Sequence, residues 1–230
     1  MAPLWQSPVY KLKTPSGKEI TIDVTTSISG GLAPSRVVTD VIVPLFLARG
    51  VHRIVDFGAG ALRYTLPLLA AGFDVYAVEF QRAFQRDAAA HALAQARQFP
   101  NFYELVWPHE FLSNNVRFDA ALLCYVIQTM PLPEERKKVI NALKKKLKVE
   151  SYLLYMARYN QVGGKISGKQ RVSDGYFMWP KREEHSFYRE FGTPETHQYY
   201  KSFGFHHIRS LSERGTDQMF LYGRGPAGFV

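Results

Sequence analysis

The run Ile54-Val55-Asp56-Phe57-Gly58-Ala59-Gly60 constrains this chain more than any other stretch. An apolar strand there meets two glycines one residue apart. A second strand-like run, Asp74-Val75-Tyr76-Ala77-Val78-Glu79-Phe80, follows and ends in a single acid. Strand, glycine turn, helix, and a strand closed by a carboxylate make the first half of a nucleotide-binding βαβ unit. Glycine lets the backbone approach a ligand, and Glu79 stands where a carboxylate can accept hydrogen bonds from both hydroxyls of a ribose. The bland alternative is a tight turn with no ligand and a solvated strand end. It is the weaker reading, because an exposed carboxylate closing an apolar strand has no packing purpose.

The rest of the chain repeats the alternation. Lys11–Lys13 and Glu19–Val24 alternate polar and apolar around Thr14-Pro15-Ser16-Gly17, which predicts a β-hairpin. Ser29–Ser35 is a turn-rich loop. A helix should follow it, burying Val38, Val41, Ile42, Leu45 and Phe46, with a kink or stop at Pro44. Strands are expected at 53–57, 74–79, 102–107, 118–124 and 152–157, with helices at 61–71, 81–97 and 133–147 between them. Gly72 should cap the first of these helices and Pro67 should bend it. A helix near 194–202 and two strands, 206–211 and 218–222, close the chain, and the short turn between those strands favours an antiparallel hairpin. Alternation of this kind implies an α/β, doubly wound fold with a mainly parallel sheet covered on both faces. Residues 1–50 then form an N-terminal hairpin and helix extension on a domain spanning 51–230. Within that domain, 158–191 is too long for a simple connection and reads as a lid insertion after the fifth strand.

Composition narrows the function. A single cysteine, Cys124, excludes a disulfide framework and thiolate zinc clusters. His206 and His207 are adjacent on a strand, point to opposite faces and form no metal pair, so no metal is expected. The start, Met1–Pro8, lacks a basic segment followed by an apolar one, and no apolar run is long enough to span a bilayer. The expectation is a soluble cytoplasmic protein with no membrane partner. Net charge is +9, of which residues 131–230 hold +8 (18 Lys/Arg against 10 Asp/Glu). Such an excess suggests an acidic partner. On the helix 133–147, however, Val139, Ile140, Leu143 and Leu147 make an apolar stripe opposite most of the lysines, so Lys144-Lys145-Lys146 reads as a solvated face on the rim away from the glycine turn.

A dinucleotide-binding turn carries a third glycine, G-x-G-x-x-G, where this chain has Arg63. Asp56-x-Gly58-x-Gly60, with Glu79 closing the second strand, instead resembles the class I S-adenosylmethionine (SAM)-dependent methyltransferases, over about Arg53–Tyr222. Phe118–Cys124 is similar to that family's fourth strand, and Gly204-Phe205 with the closing hairpin to its usual ending. The chain departs from the family at Leu62, where members often carry a further glycine. A nicotinamide enzyme is the minor competitor. The resemblance implies a Rossmann-like, seven-stranded sheet with one antiparallel C-terminal hairpin strand. It also implies SAM as cofactor and S-adenosylhomocysteine as product.

The same resemblance distributes roles around the carboxyl ends of the strands, where open α/β sheets bind ligands. Asp56 takes the family's acidic position. Gly58, Ala59 and Gly60 lie under the methionine and ribose, Glu79 takes the ribose, and Phe80 lies beside the adenine. His109, Glu110 and Phe111 follow the third strand near the adenine, Glu110 as an acceptor and Phe111 as a wall; His109 is as readily a surface residue. Cys124 and Tyr125 leave the fourth strand under the transferable methyl. Cys124 packs rather than reacts, and Tyr125 and Gln128 are candidates for substrate or cofactor contact. Ser35 and Arg36 are candidates for the cofactor's carboxylate, although Arg36 is equally an ordinary helix-start residue.

The acceptor is less legible, because in-line methyl transfer needs alignment and exclusion of water but no fixed triad. No Asn/Asp-Pro-Pro-aromatic motif and no Pro-Cys pair follow the fourth strand, which argues against amino-directed DNA enzymes and cytosine-C5 chemistry. The insertion mixes Lys165, Lys169, Arg171, Lys181, Arg182 and Arg189 with Tyr159, Tyr176, Phe177, Trp179, Phe187 and Tyr188. Tyr159, Lys169, Arg171, Tyr176, Trp179, Arg182 and Tyr188 are the substrate-binding candidates, and about half of the aromatics should simply be the lid's own core. Cations among aromatics suit a nucleic acid or another anionic acceptor, and suit a small-molecule acceptor nearly as well. His185, with Tyr125 and Gln128, completes the catalytic candidates, and a surface role for it is as ready. A non-catalytic SAM-binding or scaffold module is the remaining alternative; intact Asp56, Gly58, Gly60 and Glu79 argue against it.

Overall fold

The structure is a computed structural model and describes residues 7–28, 36–158, 170–178, 183–211 and 217–226. A hairpin of β1 (Val9–Lys13) and β2 (Glu19–Asp23) runs into a 3-10 turn, Val24–Ser27. A π-helical turn, Val38–Ile42, runs without a break into α1 (Val43–Ala48), so Pro44 lies inside a longer helical stretch, where its missing N–H interrupts the regular ladder. Then β3 (Arg53–Phe57), α2 (Thr65–Ala70), β4 (Asp74–Glu79), α3 (Gln81–Phe84), α4 (Asp87–Ala96), β5 (Phe102–Val106), α5 (His109–Ser113), β6 (Phe118–Cys124), α6 (Pro133–Lys146) and β7 (Leu147–Arg158) alternate. After β8 (Arg171–Val172), β9 (Gly175–Met178) and β10 (Glu184–Tyr188), the chain ends in α7 (Thr193–Ser202), β11 (His206–Ser210) and β12 (Asp217–Arg224).

The expected seven-stranded sheet is present, in the order β11-β12-β7-β6-β3-β4-β5. Strands β3 to β7 pair in parallel, and β12 pairs antiparallel with both β7 and β11. Its strands read as continuous apolar runs because both faces are covered. Val55, Ala121 and Leu123 face one core, while Ile54, Ala120 and Leu122 face the other. The Rossmann-like α/β fold follows from this layering.

Local details differ from the sequence reading. The helix after the glycine turn begins at Thr65, not Ala61, because Gly58, Gly60 and Leu62 all hold positive φ (71°, 54° and 58°). Pro67 therefore falls in the first helical turn and need not bend anything. The helix expected over 81–97 breaks between α3 and α4, where Arg86 takes an extended backbone (φ −71°, ψ 139°). On α6 the inner face is as expected, and Lys137, Lys145 and Lys148 are exposed; Lys148 pairs with Asp119 at the rim where β6 begins (2.5 Å). No helix among the described residues is long and apolar enough to cross a membrane.

The main departure concerns the extension and the insertion, which form one second sheet of order β1-β2-β10-β9-β8. Strand β10 pairs in parallel with β2 (Glu184 with Thr21, His185 with Ile22). Ile20, Ile22, Val172, Phe177 and Phe187 of this sheet belong to the same core as Val55 and Phe57, so it lies as a roof on the central layer. Two polar clamps fix it. Asp23, fully buried, accepts from the Thr25 N–H (2.9 Å) and hydroxyl (2.6 Å) and pairs with Arg82 (3.0 Å) and Arg86 (3.2 Å). Arg82 also pairs with Glu184 (3.0 Å), and Arg86 Nε donates to Thr25 Oγ1 (2.9 Å). At the other side, buried Arg136 pairs with Asp174, which also takes Arg189 (2.8 Å); Arg189 reaches Glu195 (2.6 Å) and lies 3.9 Å over the Phe191 ring.

Candidate active site

The carboxyl rim of the central sheet opens into a cavity of about 410 Å³ beneath the roof. Its floor starts from the glycine turn. The N–H of Gly58 donates to Val78 O (2.8 Å), which seats the turn on β4. A Cβ at Gly58 would stand 2.4 Å from Val126 Cγ2, so this position needs glycine both for its φ and for the approach of the loop after β6. The next N–H groups turn to the carboxylate of Glu79: Gly60 N donates to Oε2 (3.1 Å) and Phe80 N to Oε1 (2.9 Å). Burial pushes the Glu79 pKa up to about 7. The two N–H groups pull against that shift, and the charge of Asp56 adds to it.

Asp56 lies beneath the turn, 1% exposed, and accepts from Thr65 Oγ1 (2.7 Å); burial raises its pKa to about 6. It does not line the cavity. It fixes the turn from below, and its charge acts on Glu79 from there.

The opposite end of the cavity is built where β6, β7 and β12 meet. Tyr125 leaves β6 with φ 62°, its N–H donating to Met156 O (2.7 Å) and its hydroxyl to Asp217 Oδ2 (2.8 Å). Arg158, last in β7 and in register with Asp217, is the backbone node: its N–H donates to Gln128 Oε1 (2.8 Å), and its carbonyl accepts from the Tyr188 hydroxyl (2.9 Å). With its oxygen taken, Gln128 offers the cavity its amide N–H₂. The Tyr125 and Tyr188 hydroxyls are both pushed well above the ordinary tyrosine pKa, chiefly by burial, and so act as donors. Burial also raises the Cys124 thiol, which stays protonated in the wall.

Of the residues singled out from sequence, Gly58, Ala59, Gly60, Glu79, Phe80, Cys124, Tyr125, Gln128 and Tyr188 line this one cavity. Others lie elsewhere. His109 and Glu110 are exposed at the start of α5, where Glu110 accepts from the Val106 N–H (2.6 Å). Phe111 is fully buried, packed against Phe57 and Trp107 (ring centroids 5.7 and 5.6 Å apart), and Trp107 supplies the aromatic wall instead. Arg36 is exposed and outside the lining, whereas Arg63, which displaced the third glycine of a dinucleotide turn, is inside it. His185 is buried in the roof with its ring 4.8 Å from Phe177, and Arg171 and Tyr176 stand on β8 and β9; none of the three lines the cavity. Ser35, Tyr159, Lys165, Lys169, Trp179, Lys181 and Arg182 lie outside the described residues. Sequence reasoning missed Thr25–Ile28, Trp107, Arg158, Ser186 and Asp217, and left Phe187 out of the substrate-binding candidates though it named it in the insertion; all of these line the cavity. Asp217 was within reach: the first residue of an antiparallel last strand must return to the rim where the parallel strands end. No group of three or more metal-ligating side chains occurs among the described residues.

No protein-family model matches the sequence, and no curated protein sequence matches it. Solved structures do. A SAM-dependent methyltransferase from Clostridium acetobutylicum superposes with a TM-score of 0.61 at 15% identity, covering 81% of this chain and 90% of that one. The 1,6-didemethyltoxoflavin-N1-methyltransferase of Burkholderia thailandensis, solved with 1,6-didemethyltoxoflavin and S-adenosylhomocysteine, gives 0.58 at 18% identity over 88% and 81% of the two chains. The magnesium protoporphyrin IX methyltransferase of Synechocystis, solved with S-adenosylhomocysteine, gives 0.56 at 17% identity over 81% and 82%. The chain thus has the class I methyltransferase fold.

Proposed function

We propose that the chain is a SAM-dependent methyltransferase whose acceptor is a small molecule. The observation that carries the cofactor reading is the glycine turn bonded to Glu79 in the cavity wall. Gly60 has nothing nearer than 3.8 Å to where a Cβ would stand, so ligand atoms can approach backbone there. Glu79 is a carboxylate at the end of β4, where a ribose diol can replace the Gly60 and Phe80 N–H groups as its partner. Phe80 and Trp107 flank that end with apolar surface suited to a base, and Arg63 is the cation available for a carboxylate. Bound there, SAM supplies an electrophilic methyl carbon for in-line transfer to a nucleophile. The chain's part is to hold the acceptor at the Tyr125–Asp217 end and to exclude water beneath the roof.

The small-molecule reading rests on the enclosure. A volume of about 410 Å³ under a packed sheet suits a compact ligand, and Met178, Phe187 and Tyr188 close it from above. Of the insertion's described cations, Arg158, its first residue, lines the cavity, whereas Arg189 is spent on Asp174 and Glu195 and Arg171 lies outside the lining. The toxoflavin and porphyrin enzymes of the same fold are, by name, small-molecule methyltransferases. Calorimetry with S-adenosylhomocysteine tests the cofactor: binding is expected, and Glu79→Ala should weaken it about 100-fold by removing two charge-assisted hydrogen bonds. Absence of binding, or binding indifferent to that change, would overturn the assignment. A steep fall of RNA or DNA affinity with salt would overturn the small-molecule acceptor.

A further inference from the structure

The closing strand delivers a carboxylate to the acceptor end. Asp217 opens β12, and because β12 runs antiparallel to β7, its first residue stands level with Arg158 on the rim where β3, β4 and β6 also end. Tyr125 holds a left-handed backbone there (φ 62°), a conformation that disfavours any residue with a side chain, and its hydroxyl meets Asp217 Oδ2 at 2.8 Å. Among the described residues, Oδ1 accepts no hydrogen bond and no cation pairs with this carboxylate. The other polar groups lining that end cannot take a proton as readily. The tyrosine hydroxyls are donors, Gln128 is an amide, and Arg158 is already charged.

We propose that Asp217 binds the acceptor through a neutral N–H or O–H group and takes that proton as the methyl group is transferred. The acceptor's lone pair forms the new N–C or O–C bond. The methyl carbon's bond to sulfur breaks with its electron pair left on sulfur, and the acceptor's proton moves to Asp217 Oδ1. Tyr125 positions the carboxylate by holding Oδ2. The nucleophile class is therefore a nitrogen or oxygen carrying a hydrogen, on a small molecule. This rests on the methyltransferase reading above.

The test needs no acceptor. Sinefungin carries an amine-bearing carbon in place of the methylated sulfur, so its cationic amine stands where the methyl would be, whereas S-adenosylhomocysteine has nothing there. The affinity ratio of the two is measured by calorimetry in wild type and Asp217→Asn. Wild type should favour sinefungin, and Asp217→Asn should lower the ratio about tenfold while leaving S-adenosylhomocysteine affinity unchanged. If Asp217→Asn fails to bind S-adenosylhomocysteine, Tyr125→Phe takes its place and should lower the ratio about threefold. An unchanged ratio in a variant that still binds S-adenosylhomocysteine overturns the role of Asp217 alone. Wild type that binds neither compound overturns the cofactor reading, and this inference with it.

Discussion

The two sheets of this molecule differ in how far apart their partners lie in the chain. The cofactor end of the central sheet is built from 53–80, a single βαβ unit in which Arg53–Phe57 pairs with Asp74–Val78 and Glu79 turns back to Gly60. The roof joins opposite ends of the sequence, Thr21–Ile22 to Glu184–His185. On the function proposed above, the local unit would meet the ribose and the backbone-contacting part of the cofactor, and the long-range layer would meet the acceptor. The two parts meet at Ile28, about 3.8 Å from where a Gly60 Cβ would be, in the core they share around Val55 and Phe57, and at the clamp of Asp23 with Arg82 and Arg86.

The strongest way to break this division is at the turn itself. Gly58→Ala places a side chain at φ 71° and 2.4 Å from Val126. Left-handed strain and overpacking together amount to roughly 2–4 kcal/mol. S-adenosylhomocysteine affinity should fall by about 100-fold or more, with a melting temperature lower by several degrees. Gly60→Ala, with nothing nearer than 3.8 Å, carries the strain without the collision and should be milder in both respects. Equal losses at the two positions would mean that close approach at Gly58 matters to nothing.

A second cut goes through the clamp. Asp23 is the one fully buried member of its network, while Arg82 and Arg86 keep contact with water. Asp23→Ala removes the acceptor for Thr25 and both arginines but leaves the cations free to be solvated, which limits the cost to about 2–3 kcal/mol. Denaturant unfolding measures that loss. Because Val24–Ile28 covers the glycine turn, S-adenosylhomocysteine affinity should fall as well, by about tenfold. An unaltered affinity would confine the roof to the acceptor and make the division between the sheets complete.

The same contrast explains what could be read in the sequence. The strands 53–57, 74–79 and 118–124 carried their own signal, since burial on both faces requires unbroken apolar runs. Gly58, Gly60 and Glu79 could be picked out because their spacing is local. The insertion gave only composition. Its cations suggested an anionic acceptor, yet Arg189 is ion-paired, Arg171 lies outside the lining, and Arg158 alone of the three described lines the cavity. His185, singled out as the insertion's histidine, is core of the roof. No local pattern reveals that β2 and β10 pair, so nothing in the sequence singled out Thr25–Ile28 as a wall. Leu62 misled differently: a leucine at φ 58° has no signature, and it shortened the helix that periodicity had begun at Ala61.

The finest test concerns protons. In the free protein, burial raises Asp56 to about 6 and Glu79 to about 7, above the ordinary 3.8 and 4.5. A folded state that holds protons the unfolded chain has released is fully stabilised by them below the unfolded values and loses that contribution as pH rises through about 4 to 7. A ribose diol reverses the preference at Glu79, because two hydroxyl donors favour the ionised carboxylate. S-adenosylhomocysteine binding should therefore be flat above about pH 8 and weaken roughly tenfold per unit on acidification below pH 7, with a proton released on binding at pH 6. Calorimetry in buffers of different ionisation enthalpy counts that proton. Glu79→Gln should bind more weakly and show neither the slope nor the release. Glu79 is the member of the local unit that lines the cavity and lies away from the Tyr125–Asp217 end, so Asp217→Asn should leave this pH dependence intact. A slope that vanished with Asp217 instead would show that the two ends of the cavity are not independent.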